Sequence, residues 1–147
     1  MSPRSTLRYR EYAPAAALRP YVECVWAVWD SARRAVRAPD RVVPDACPEI
    51  IVHLGDPFSR LVGARWRRQP ATFLAGTLSR PWHLRAGARV RTLGIRFRPG
   101  AVTACFAIHM QAATDREVAM AAVCGAGAAR ALGRAVRGAE RGASASA

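Results

Sequence analysis

Apolar and polar positions alternate with a period of two in several short runs before Gly100. That period sends successive side chains to opposite faces of an extended backbone, so it predicts strands. The cleanest run is 90–98, where Leu93, Ile95 and Phe97 fall on one face and Thr92, Gly94, Arg96 and Arg98 on the other. Residues 49–54 alternate as well, with Ile50, Val52 and Leu54 opposed to Glu49, Ile51 and His53. Residues 21–29 are rich in β-branched and aromatic types, and a regular strand there puts Val22, Cys24, Trp26 and Val28 on one face. Shorter strands are predicted over 7–12, at an edge, over 72–76, and over 81–85, where Trp82 and Leu84 oppose His83 and Arg85. The run 60–66 reads as a return strand that pairs with 49–54 across the turn Gly55-Asp56-Pro57. Prolines mark the joints. Residues 14–20 fit one helical turn, and Pro44 to Pro48 a rigid corner; an arginine-rich loop is expected over 31–40.

Beyond Pro99 the period lengthens. Pro99 can start a helix over 101–106. Thr114 and Glu117 have capping-box spacing. Residues 126–137 predict a helix with Ala129, Leu132 and Val136 on one side and Arg130, Arg134, Arg137 and Arg141 on the other. The small, polar residues near the C-terminus read as a disordered tail over 138–147. Six to eight short strands followed by two or three short C-terminal helices imply the α+β class: an antiparallel, β-rich barrel or sandwich occupying 1–137 as one domain.

Length agrees with one domain, since 147 residues can bury a real core. The net charge of +13 changes the picture less than its size suggests. All 23 basic residues are arginine, and lysine is absent. With so much alanine and glycine, this looks like the coding bias of a GC-rich genome. The surplus favours polyanions through long-range attraction, but a solvated basic surface is the expected use of these arginines, including the stripe on the last helix. No apolar segment near the N-terminus or elsewhere is long enough for a signal peptide or a membrane span. Four dispersed cysteines without a C-x-x-C pair fit free thiols in a reducing cytoplasm.

Candidate chemistry concentrates in and around 44–54. Cys47 sits at the corner, but no motif sets a histidine and an asparagine beside it, so a small packing residue is the expected role. His53, His83 and His109 are isolated, with no H-x-H. Glu49 and His53 share a strand face but stand about 13 Å apart along an extended chain, too far to share one ion. No catalytic residue, metal or cofactor is therefore expected. Trp26, Trp29, Trp66 and Trp82 all fall on predicted strands, where core packing is the default. The site that remains is a small-molecule pocket inside the barrel, lined by Trp26, Glu49, Ile51, His53 and Trp82.

Four segments in order carry a resemblance. They are Y-x-P…L-R-P-Y-V-E-C-V-W from Tyr12 to Trp26, V-V-P-D-A-C-P-E-I-I from Val42 to Ile51, F-L-A-G from Phe73 to Gly76, and G-I-R-F-R-P-G-A from Gly94 to Ala101. Together they resemble the N-terminal domain of AraC-type bacterial transcriptional regulators. The resemblance implies a cupin-like sensor and dimerisation domain, a small-molecule effector, a homodimer, and DNA contact through two helix-turn-helix units further along the chain. Ala46 stands where such domains commonly carry glycine. The sequence stops where the DNA-binding domain is expected, so a truncated regulator that meets DNA only nonspecifically is the expectation. A cupin-type small-molecule enzyme using a metal or Cys47 is the competing one.

Overall fold

Ten strands and four α-helices form among the residues described by the computed structural model, 7–32 and 38–145. In chain order the strands are β1 (Leu7–Tyr12), β2 (Val22–Asp30), β3 (Asp40–Val42), β4 (Glu49–His53), β5 (Ser59–Val62), β6 (Arg65–Arg68), β7 (Thr72–Ala75), β8 (Trp82–Arg85), β9 (Arg91–Phe97) and β10 (Glu117–Ala119). The helices are α1 (Ala101–Cys105), α2 (Met110–Ala113), α3 (Met120–Cys124) and α4 (Ala126–Ala145), with a short 3-10 turn at Ala16–Leu18. One sheet has the order β1-β2-β9-β4-β7-β10 and the other β3-β8-β5-β6. Every strand pairing is antiparallel. Two antiparallel sheets that enclose a pocket, with helices following, make up the β-rich α+β arrangement that the sequence pattern implies.

The six-stranded sheet has two different faces because its strands alternate. Val22, Ile50, Val52, Leu74 and Phe97 point to the helices and form one cluster with Val102, Met120 and Val123. Val52 and Leu74 are at most 1% exposed, and burying side chains of this size stabilises by about 1.5–3 kcal/mol each. Ala129, Leu132 and Val136 close the cluster, which fixes the inner side of α4 and leaves Arg130, Arg134, Arg137 and Arg141 exposed. The opposite face of the sheet looks toward the four-stranded sheet.

Several expectations change. The predicted strand 60–66 is a hairpin: Gly63, at φ 61°, lets the chain turn between β5 and β6. That hairpin belongs to the second sheet, and β4 pairs instead with β7 and β9. Val22 does not share a face with Cys24, Trp26 and Val28, because the register shifts between Val22 and Cys24. The extra residue of a bulge turns Val22 toward the helices. β3 occupies the end of the loop expected over 31–40, and residues 33–37 lie outside the described residues. No capping box forms at Thr114. Its hydroxyl donates to the Met110 carbonyl and ends α2, Asp115 turns at φ 56°, and Glu117 opens β10. The last helix, expected to stop at Arg137 before a disordered tail over 138–147, runs on to Ala145. Alanine, glutamate and arginine, all good helix formers, make up five of the eight residues 138–145 beside two glycines and a serine; residues 146–147 lie outside the described residues.

The corner 44–48 is built around a left-handed residue. Ala46 has φ 62°, and the Cys47 N–H donates to the Asp45 carboxylate at 3.0 Å, an Asx turn. Glycine would adopt that φ without a Cβ penalty.

Candidate functional site

The pocket lies between the sheets and has a volume of about 320 Å³. Trp26, Glu49, Ile51, His53 and Trp82, the five residues singled out from sequence, all line it. Strand period places three of them: Glu49, Ile51 and His53 are alternate residues of β4. Their neighbours on β9 are fixed by register, as Glu49 lies opposite Arg96, Ile51 opposite Gly94, and His53 opposite Thr92. Both polar interactions of the floor are therefore direct cross-strand pairs. Gly94 also faces Trp26 across β2, and a Cβ there would come within 2.1 Å of the indole. The glycine is thus the seat on which the Trp26 ring lies.

The two ends of the pocket differ. At one end Glu49 Oε1 accepts from Arg96 Nε at 2.7 Å and from Trp26 Nε1 at 3.1 Å. Arg96 also approaches Glu11 at 3.7 Å and Asp45 at 3.9 Å. Burial pushes the Glu49 carboxyl up, and the Arg96 and Trp26 hydrogen bonds offset that only in part. Tyr9, stacked near Trp26 with ring centroids 6.1 Å apart, donates to Glu11 at 2.6 Å. Cys47 lines this end too, and its thiol donates to Glu23 at 3.4 Å. Burial, and then that bond, push the thiol up to about 11, so it stays protonated near neutrality.

At the other end a buried network holds His53. Gln69 donates through Nε2 to Glu117 at 3.3 Å, which leaves its Oε1 to accept from His53 Nε2 at 3.1 Å. A neutral ring then accepts from the Thr92 hydroxyl at Nδ1, 3.0 Å away. Burial holds the imidazole down at about 4, against the bond to Gln69, which raises it. The chain of contacts continues out of the pocket: Glu117 pairs with Arg60 at 3.0 Å, and the Arg60 guanidinium lies 3.9 Å above the Trp82 ring. His83 and His109 are exposed on the surface. Among the described residues no three His, Cys, Asp or Glu side chains come together as a metal-holding group, and no helix is long and apolar enough to cross a membrane.

Gln69, Thr92, Tyr9, Phe58 and Phe73 also line the pocket and were not singled out from sequence. Thr92 was legible in principle, since it shares the alternate face of β9 with Arg96. Gln69 was not, because it stands in the loop after β6 and no strand period assigns it a direction.

The sequence model of the family described as "Domain of unknown function (DUF6597)" matches residues 10–119. The chain belongs to this family. The DUF6597 match runs from within β1 through β10, so it holds nearly every wall of the pocket, while α3 and α4 follow it. No curated protein matches the chain. Among solved structures it is similar to the cupin_2 domain of an XRE family transcriptional regulator from Enterobacter cloacae, with a TM-score of 0.45 and 11% identity over 65% of this chain and 99% of that one. In the DUF6597 segment the Glu49–Arg96 pair and the His53–Gln69–Thr92 network define the two polar ends of an otherwise aromatic and aliphatic chamber.

Proposed function

We propose that the chain is the effector-sensing and dimerisation module of an AraC-type transcription regulator, and that it acts without catalysing a reaction. The pocket carries this reading. A chamber of about 320 Å³ with apolar walls and a few polar groups fixed at its ends has the form of a small-molecule site. The ordered motifs from Tyr12 to Ala101 support the regulator family. A thiol held protonated at Cys47 suits a packing residue better than a nucleophile.

The sheet that floors the pocket bears the helical core on its other face, so a shift in β4 or β9 reaches α3 and α4. An effector with unequal affinity for two arrangements would thereby bias how the domain pairs, or how it docks on a DNA-binding domain. In this reading the protein works in the cytoplasm and specific DNA contact belongs to helix-turn-helix units. The charge of +13 adds only a nonspecific, salt-dependent attraction.

A thermal-shift screen of small apolar molecules, followed by light scattering with and without the hits, tests the proposal. The expected result is a raised melting temperature and a ligand-dependent change in the monomer–dimer balance. A chain that no compound stabilises, and whose mass never changes, refutes it.

A further inference from the structure

The charges of the pocket are not those of the chain. The chain carries 23 arginines against 10 acidic residues. Among the described residues, the pocket is lined by one arginine, Arg96, and by three acids, Asp40, Asp45 and Glu49. Arg96 itself has acids around it. Its guanidinium is shared among Glu49 at 2.7 Å, Glu11 at 3.7 Å and Asp45 at 3.9 Å. One positive charge against three negative leaves that group with a formal charge of −2.

Glu49 has an unused oxygen. Both bonds it accepts end on Oε1, and Oε2 has no donor among the described residues. The side chain keeps only 19% of its exposure and lines the pocket, so this oxygen can still accept from a bound donor. Beside it stand the stacked rings of Tyr9 and Trp26, whose faces attract cations. Tyr9 is pushed up to about 12, first by burial and then by Glu11, which agrees with a negative local potential. The far end adds no charge, since His53 is neutral and bonded to Gln69 and Thr92.

We propose that the pocket binds a lipophilic organic cation, its ammonium head at Glu49 Oε2 and its apolar body against Ile51, Phe73 and Trp82. The proposal rests on the reading of the chain as an effector sensor and adds the chemical class of the effector.

Calorimetric titration of the full chain with three molecules of one shape tests it: 1-naphthylmethylammonium, 1-naphthalenemethanol and 1-naphthoate. The cation should bind about tenfold more tightly than the alcohol, the span of a charge-assisted hydrogen bond with a cation–π contact. Naphthoate should bind more weakly than either. Glu49→Gln should abolish the preference and, by releasing Arg96, improve naphthoate. If that variant fails to fold, the double change Glu11→Gln with Asp45→Asn, at residues with half-exposed side chains, should lower cation affinity about threefold through lost Coulomb attraction alone. Equal affinities for the three molecules, or naphthoate tightest, would overturn the cation assignment and leave an effector pocket standing. No binding by any of the three overturns the cation assignment, and the thermal-shift and light-scattering screen decides the sensor reading separately.

Discussion

Replacing His53 by glutamine removes a buried imidazole but keeps an amide that can donate to Gln69 and accept from Thr92. The difference in stability between wild type and His53→Gln therefore isolates the titration of that ring. Burial holds it at about 4, against 6.5 in the unfolded chain. A base whose folded value is depressed contributes stability that is fully present above its unfolded value and lost as pH falls toward its folded one, because the unfolded chain takes up the proton first. The gap, at about 1.4 kcal/mol per unit, amounts to about 3 kcal/mol. Urea unfolding followed by tryptophan emission at half-unit steps from pH 7.5 to 4 measures it. Relative to His53→Gln, wild type should hold constant above about pH 7 and then lose about 1.4 kcal/mol per unit down to about pH 4. Carboxylates such as Glu49 titrate in both proteins and cancel in the difference. A difference that stays flat across the whole range would mean that His53 gains its proton as easily folded as unfolded, and the buried network described here would be wrong.

Gly94→Ala puts a methyl group into the Trp26 indole and should cost about 1–3 kcal/mol by overpacking, with a shift in tryptophan emission; a melting temperature equal to wild type would show that the ring does not rest there. Ala46→Gly relieves a left-handed alanine and should gain about 0.5–1 kcal/mol in chemical denaturation, whereas a loss would indicate a different corner. Glu49→Ala and Arg96→Ala, alone and combined, should be non-additive by about 1 kcal/mol or more in a double-mutant cycle, since their side chains touch at 2.7 Å and are largely buried.

The parts of the fold that the sequence made legible are those where one period runs unbroken. β9 and β4 were readable to within one residue at their ends, and the division of Glu49, Ile51 and His53 from Ile50 and Val52 was readable outright, because a strand with one apolar and one mixed face admits a single orientation. Where the period breaks, legibility ends. A bulge at Val22 leaves no trace in the alternation, and the Gly63 turn sits inside what looks like one apolar run. β3 and β10 are three residues each, too short to show a period. The site was readable on the strand that carries it and less so across the chain, where Arg96 could be named from sequence only as a guessed partner for Glu49 and is found there at 2.7 Å. The pairing of Glu49 with Arg96 depends on which strands are neighbours, and Gln69 reaches His53 from a loop.

The six-stranded sheet is a partition one backbone thick between two chambers. Ile51 stands in one of them, and Ile50 and Val52, its immediate neighbours along the chain, stand in the other. Protein interiors are packed as densely as organic crystals, so the helical chamber holds no slack to absorb a displacement of β4. A guest pressing on Ile51 and the helices resting on Val52 lean against the two sides of the same ribbon, and neither can move it without the other.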